Sequence, residues 1–390
     1  MKHKNTAYID KNALITNYKT IDSITGDSRV ICVVKADAYG HGIEYAASAL
    51  GDAGCDFFAV SSEEEAAELR AIENANTRHP DILILGHIDP ENVGEMIEHD
   101  ITCTVVSAEN ARLLSDAAKV CGGVLKIHIK LDTGMNRLGF SALDSDYEST
   151  VSAIADIAAD ENLALSGIFT HFSSADDELM DGRILPGYES VGGYTRLQLS
   201  RYIRVINALR GRGIDTGICH AANSAAILTL PEAHFDAVRA GVILYGMMPN
   251  GSIDERFKPV MKFESSVTHI HVIRAGEKVS YGAEFEAEND IIAATVAAGY
   301  ADGFERSCKG CYVTIGGRKY RQIGRICMDQ FMVDVTDSFA PGAVPVKVGD
   351  AVTLFGGDDG QSANALARLS GSINYEVLCR VSKRVLRKLV

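Results

Sequence analysis

The sequence predicts an α/β protein in two parts: a (β/α)8 barrel of the TIM type, then a C-terminal, mostly β domain. Three observations lead there. Eight short apolar runs alternate with amphipathic stretches between residues 30 and 246, the count and spacing of a barrel of roughly 250 residues. The loop after the first run, KADAYGHG, lacks the GxGxxG spacing that an open, doubly wound sheet uses to bind a dinucleotide. Beyond residue 247 the texture changes to short β-branched runs broken by glycine pairs and proline.

Taken in order, residues 1–9 read as an N-terminal strand that packs on the C-terminal domain, 10–247 as the barrel and 248–390 as the β-rich domain. The barrel strands are VICVVKA (30–36), DFFAVSS (56–62), DILILGH (81–87), TCTVVS (102–107), LKIHIKLDTG (125–134), LALSGIFTHF (163–172), GICHAANS (217–224) and HFDAVRAGVILYG (234–246). Helical patterns lie between them. In SSEEEAAELRAI, Ser62 and Glu65 have capping-box spacing; SAENARLLSDAAK follows, and TRLQLSRYIRVINALRG is closed by Gly211. GSIDERFKP reads as a linker. FESSVTHIHVI, DIIAATVAAGY, CYVTIGGRKYRQIG, FMVDVT and DAVTLFG then build the β domain, with Gly316–Gly317 as a hairpin turn.

Composition narrows the function classes. Thirty-eight basic against 52 acidic residues give a net charge of −14, which makes nucleic acid and anionic lipid poor partners. No run of 18 apolar residues exists, so no membrane span is expected. The opening MKHKNTAYIDKNALITNYKT has no apolar core of signal-peptide type. Nine cysteines, an odd count at scattered spacings, suit a reducing cytoplasm. The one tight pair, Cys308 and Cys311 in CKGC, lacks a second pair, so no metal site is expected.

In such a barrel, chemistry gathers at the C-terminal ends of the strands. Those ends carry Lys35 after the first strand, Lys130 and Arg137 after the fifth, His171 after the sixth, Asn223 and Ser224 after the seventh, and Arg239 and Gly241 at the eighth. One polar residue at a barrel mouth is ordinary; this set converges on one pocket. A lysine ending an apolar strand loses hydration, which favours its neutral amine. That is the state Schiff-base chemistry needs, although a snorkelling lysine with its head in water would fill the same position. Asn223 and Ser224 open a short helix where barrels often hold a phosphate, and the pair also reads as a plain N-cap. Gly241 lets the backbone approach. A Schiff-base lysine facing a phosphate cradle points to pyridoxal 5′-phosphate.

Eight phrases then carry a resemblance: VVKADAYGHG, LDTGMNRLGF, THFSSAD, RAGVILYG, VSYGAEF, AGYADGF, RICMDQFMVDV and INYEVLCRVSKRV. Together, in order and across nearly the whole chain, they resemble the alanine racemase family. The resemblance implies interconversion of L- and D-alanine, supplying D-alanine for peptidoglycan, by a homodimer with shared active sites. It implies that Lys35 carries pyridoxal phosphate and that Tyr39, Ser224, the backbone of Gly241 and Val242, and Tyr375 hold its phosphate. Arg239 would face the pyridine nitrogen, with His171 in support. Arg137 and the Met328 backbone amide would bind the substrate carboxylate, and Tyr300 and Asp329 would support them. A carbamylated Lys130 would prop Arg137. Tyr281, from the partner subunit, would be the second acid/base opposite Lys35, with Lys35 serving the D-enantiomer and Tyr281 the L.

The residues add physical detail to those roles. A free phenol, with a pKa of about 10, is a reluctant base, so a cation near Tyr281 would help, and His171 linked to Arg239 is the candidate. A guanidinium has only donors and stays charged, so Arg239 disfavours a protonated ring nitrogen and favours racemisation over transamination. Tyr281, Tyr300 and Tyr375 crowd the pocket toward a methyl side chain, but an apolar pocket rejects one added hydroxyl only weakly. A serine or alanine/serine racemase is therefore an alternative. A barrel-type pyridoxal phosphate decarboxylase is another, and it would carry a triple-glycine phosphate loop and an acidic ring partner, where this chain has glycine pairs and Arg239. A noncatalytic carrier of the cofactor would lack the second domain with Tyr281.

Overall fold

The computed structural model describes residues 5–72, 79–176, 193–357 and 360–390. Eight parallel strands close a ring: β2 (Arg29–Val33), β3 (Phe57–Val60), β4 (Asp81–Ile84), β5 (Ile101–Val105), β6 (Leu125–Asp132), β8 (Leu163–Phe169), β9 (Ile218–His220) and β10 (Ala237–Ala240). Closure is the pairing of β10 with β2, Arg239 opposite Ile31. A two-residue strand, β7 (Phe140–Ser141), adds to the end of β6. All eight ring strands coincide with the apolar runs of the sequence. They form because near-continuous β-branched and apolar residues are buried on both faces of a parallel sheet. The first run was expected to reach residue 36 as strand, but β2 stops at Val33.

The chain enters through β1 (Thr6–Ile9), and α1 (Lys11–Thr25) follows, its N-cap Asp10 accepting the Ala13 N–H at 2.9 Å. Residues Ala13, Leu14, Tyr18 and Ile21 bury one face of α1, the spacing of an amphipathic helix. Asn17, on the same helix, is fully buried and bridges the Leu244 and Lys258 carbonyls while accepting the Lys258 N–H. One amide thereby ties the barrel to the linker.

In the second domain β11 (Met261–Ile273), β14 (Ile291–Val296), β15 (Tyr312–Ile315), β16 (Arg318–Ile323), β17 (Phe331–Asp334) and β18 (Ala351–Phe355) close an antiparallel barrel. The short hairpin β12 (Lys278–Val279) and β13 (Phe285–Glu286) projects from it and carries Tyr281 between its strands. β1 pairs antiparallel with β11, and β19 (Leu386–Leu389) pairs parallel with β1. The first and last strands of the chain thus both extend the second domain's sheet. Residues 1–4 of the expected N-terminal strand lie outside the described residues. No helix is long and apolar enough to cross a membrane among the described residues.

Candidate active site

A cavity of about 590 Å³ opens at the C-terminal mouth of the barrel, lined by Lys35, Tyr39, Lys130, Arg137, His171, Asn223, Ser224, Arg239, Gly241, Val242 and Tyr375. Eleven of the residues singled out in the sequence therefore meet on one surface.

Lys35 is presented by an unusual backbone. Ala36, Asp37, Ala38 and Tyr39 all adopt φ between 52° and 54°, a turn of left-handed helix, before Gly40 at φ 80°. Each non-glycine residue there costs roughly 1–2 kcal/mol against the right-handed alternative, so the surroundings must impose the turn. Glu65 does so at its start. The capping-box reading is half right: Ser62 Oγ accepts the Glu65 N–H, but the Glu65 carboxylate does not return to Ser62. Instead it accepts from the Ala36 N–H at 2.6 Å and from the Ser61 N–H and Oγ. The Lys35 amine makes no hydrogen bond or ion pair with any described residue. Burial, then the charge of Arg137, pulls its pKa below that of free lysine and favours the neutral amine.

Arg239 lies buried beneath the cavity with no carboxylate partner among the described residues. Its Nη2 donates to the Thr170 and Ala221 carbonyls at 2.6 and 2.9 Å and to His171 Nδ1 at 3.3 Å. Its Nη1 donates to His220 Nδ1 at 2.9 Å and to the His220 carbonyl. The Nε–H makes no hydrogen bond with any described residue. Burial lowers the guanidinium pKa to about 10, so it stays charged at neutral pH. A donor-only neighbour forces the tautomers: His171 and His220 accept at Nδ1 and carry their protons on Nε2. The His220 Nε2–H then meets His128 Nδ1 at 3.0 Å. Burial, then Arg239, holds His171 and His220 far below the usual histidine range, and His128 at about 3. His171 is therefore a neutral donor, and the positive charge expected beside it belongs to Arg239.

His220 and His128 escaped the sequence reading. A signal existed: in LKIHIKLD, His128 and Lys130 are two apart, so they point to the same face of β6. Lys130 is buried, donates to the Leu131 carbonyl at 2.8 Å, and lies over the Phe169 ring. Burial, then Arg239, brings its pKa to about 7.

Another part of the cavity wall gathers hydroxyls and backbone amides. Gly241 N–H donates to Ser224 Oγ at 3.0 Å, and a Cβ at Gly241 would sit 2.8 Å from the Tyr39 hydroxyl. Val242 opens the short 3-10 turn Val242–Tyr245, whose first N–H groups have no partner within the turn. Asn223 has the bland role: Oδ1 caps the helix Ser224–Thr229 through the Ala226 N–H at 3.0 Å, and Nδ2 donates to the Phe172 carbonyl. These bonds fix the start of the helix that carries Ser224, and one Oδ1 lone pair and one Nδ2 hydrogen remain open. Arg137 follows a turn in which Asp132 Oδ1 accepts the Gly134 and Asn136 N–H groups, and its guanidinium has no partner among the described residues.

Four expected site residues lie elsewhere. Tyr281, Tyr300, Met328 and Asp329 belong to the second domain and do not line this cavity. They share one outer surface: Tyr300 N–H donates to the Cys327 carbonyl, and Ser280, beside Tyr281, donates to the Arg325 carbonyl. Tyr281 is 69% exposed, Met328 53% and Tyr300 45%, an uncommon cluster of large apolar side chains for a surface. The Met328 N–H is free of any hydrogen bond to a described residue, and Asp329 accepts from Arg384 Nη2 at 2.8 Å.

Comparison with known proteins gives the same picture. Residues 9–249 match the family described as alanine racemase, N-terminal domain, and residues 260–389 match alanine racemase, C-terminal domain. The chain is 40% identical over 387 residues to alanine racemase 1 of Clostridium acetobutylicum, covering 98% of this chain and 94% of that protein. It is also 40% identical over 393 residues to the alanine racemase of Methanococcus maripaludis, covering 99% of each. Among solved structures, the alanine racemase of Clostridium difficile superposes with a TM-score of 0.88 at 35% identity, covering 100% of this chain and 96% of that one. With both domains matched from end to end, the chain belongs to the alanine racemase family of isomerases.

Proposed function

We propose that the chain racemises alanine by moving the α-proton between Lys35 and Tyr281, with pyridoxal phosphate held on Lys35 and Tyr281 contributed by a partner subunit of a homodimer in the cytoplasm. One observation carries this reading: an unpaired, partly desolvated amine shares a cavity with an unpaired Arg239 Nε–H and a cradle of hydroxyls and amides that a single Cβ would fill. The donor set fits the cofactor. Lys35 is the nucleophilic amine, the Arg239 Nε–H suits the pyridine nitrogen as an acceptor, and Tyr39, Ser224, Gly241, Val242 and Tyr375 suit the phosphate.

When bound, pyridoxal phosphate supplies an electron sink that makes the α-proton of an amino acid removable. The protein's own residues do the rest. Arg137, unpaired at the cavity wall, binds the carboxylate of the amino acid, joined by the partner's Met328 N–H. Lys35 Nζ takes or returns the α-proton on one face, and the Tyr281 phenol does so on the other. His171 Nε2–H, fixed by Arg239, is a donor for the phenolate form of Tyr281. Arg239 keeps the ring nitrogen in its acceptor state. Lys130, with its pKa of about 7, is the amine poised to become a carbamate that holds Arg137. Tyr300, Tyr375 and Asp329 close the site around a small side chain. All nine cysteines are free thiols, which agrees with a reducing compartment.

The deciding experiment is incubation with L-alanine in deuterated water, followed by chiral chromatography and mass spectrometry. D-alanine carrying one α-deuterium is expected. Lys35→Ala should lose both cofactor capture and turnover, whereas Tyr281→Phe should keep the cofactor and lose turnover. Wild-type protein that exchanges no α-proton, or a Tyr281→Phe variant with undiminished racemisation, would end this reading.

A further inference from the structure

We propose that Arg387, on the last strand of the second domain, is a positioning residue that locks the left-handed turn presenting Lys35 and Tyr39. The inference rests on the cofactor reading above and adds a residue from outside the barrel to the machinery that holds the site.

Among the described residues, three side chains from outside residues 36–40 hydrogen-bond to the turn. Glu65 takes the Ala36 N–H at its start. His41, fully buried and stacked on Tyr245, places Nδ1 at 2.9 and 3.1 Å from the Ala38 and Tyr39 carbonyls. Both of these belong to the barrel. The third does not. Arg387 Nε and Nη2 both donate to the Gly40 carbonyl, at 3.1 and 2.9 Å. The same guanidinium donates from Nη1 to the Ser382 and Val385 carbonyls and from Nη2 to the Val381 carbonyl. Among the described residues, every hydrogen bond of this guanidinium ends on backbone and none on a carboxylate.

That pattern distinguishes Arg387 from the surface ion pairs around it. A planar fork of donors fixes the Gly40 carbonyl relative to the segment 381–385, a geometry an ammonium cannot copy. Space is tight on the same side: a Cβ at Gly40 would lie 2.3 Å from the Leu378 carbonyl oxygen. The helix just before that segment, Asn374–Cys379, carries Tyr375 and Cys379 on the cavity wall. Four left-handed residues in a row have no intrinsic reason to stay so. Releasing Gly40 lets them sample right-handed backbone, in which Lys35 and Tyr39 no longer face the cavity together. The affinity for the cofactor then falls by the fraction of molecules still in the competent state.

The test uses the full chain with and without pyridoxal phosphate, comparing wild type, Arg387→Ala, Arg387→Lys and Arg380→Ala. Arg380 pairs with Glu305 and Glu376 at the surface and does not touch the turn. Arg387→Ala should raise the cofactor dissociation constant by about tenfold or more. In cofactor-free protein it should speed amide hydrogen exchange selectively over residues 36–42, with the far-ultraviolet circular dichroism unchanged. Arg387→Lys should fall between, millimolar guanidinium should partly restore Arg387→Ala, and Arg380→Ala should match wild type. Arg387→Ala with wild-type affinity and wild-type exchange at 36–42 overturns the proposal, as does exchange that rises equally through both domains. Should Arg387→Ala not fold, Arg387→Lys decides, and wild-type affinity there overturns it. Wild-type protein that fails to bind pyridoxal phosphate would instead sink the cofactor reading, and the exchange comparison would still report on the turn.

Discussion

Arg239 and His220 share a hydrogen bond whose direction is fixed: Nη1 donates across 2.9 Å to Nδ1, because a guanidinium has nothing but donors. The polarity runs through the whole cluster, so every acceptor around Arg239 is a carbonyl or a neutral imidazole. A carboxylate in its place reverses that polarity and would let a ring nitrogen keep a proton. Arg239→Glu should therefore slow racemisation by roughly a hundredfold or more and divert part of the substrate to pyruvate by transamination. Chiral chromatography and a coupled pyruvate assay, with circular dichroism as the control for folding, read both effects. Racemisation at the wild-type rate, or loss of rate with no pyruvate, would contradict the assigned role.

Gly241 leaves open the space between Tyr39 and Ser224. A Cβ at Gly241 would meet the Tyr39 hydroxyl at 2.8 Å and Ser224 Oγ at 3.5 Å. The added methyl occupies the space where an anion would sit. Gly241→Ala should weaken pyridoxal phosphate binding by about tenfold or more, measured on variant protein whose far-ultraviolet circular dichroism matches wild type. Retained affinity would mean the phosphate sits elsewhere.

How much of this was legible in the sequence depends on the range of the force that sets each feature. The eight barrel strands were readable because burial on both faces writes itself as local apolar runs. Lys35, Arg137 and Arg239 were readable because a charged residue stands out at the end of such a run. The left-handed turn was not. Ala36, Ala38 and Tyr39 have no preference for positive φ, and the side chains of Glu65, His41 and Arg387 that help to hold them there are distant in sequence or buried. Glu65 misled for the same reason: its spacing from Ser62 is local, while its partner Ala36 lies 29 residues away. His128 and His220 were passed over because a single histidine in a strand carries no sign that a second lies opposite it.

Lys130 offers a test that depends on pH. A folded pKa near 7 means that the neutral amine, the form that attacks carbon dioxide, grows as pH rises through 7. In that step an N–C bond forms to carbon dioxide and the amine releases a proton to water, which leaves an anion near Arg137. Protein equilibrated with carbon-13 bicarbonate above pH 7 should show a carbamate resonance that Lys130→Ala lacks, and that fades as pH falls below 7. Stripping carbon dioxide should raise the KM for alanine several-fold, and bicarbonate should restore it. Absence of the resonance in protein that is fully active removes the carbamate from the account.

Tyr281 is 69% exposed and absent from its own chain's cavity, so its place in catalysis hinges on a second copy. Two inactive variants can reveal this. Lys35→Ala supplies a normal Tyr281, and Tyr281→Phe supplies a normal Lys35. If each site takes Lys35 from one subunit and Tyr281 from the other, a hybrid dimer contains one site with both residues intact and one with neither. Equal co-expression puts about half of the dimers in the hybrid form, so activity should return to about a quarter of wild type. Tagging the two variants differently and purifying the hybrid alone should raise that to about half. Each parent alone should stay inactive. Purified hybrids with no more activity than the parents would place both bases in the same subunit or remove Tyr281 from the reaction. An excess of either parent should dilute the recovered activity in proportion to the hybrid fraction, and this dose dependence separates a shared site from contamination by wild-type enzyme.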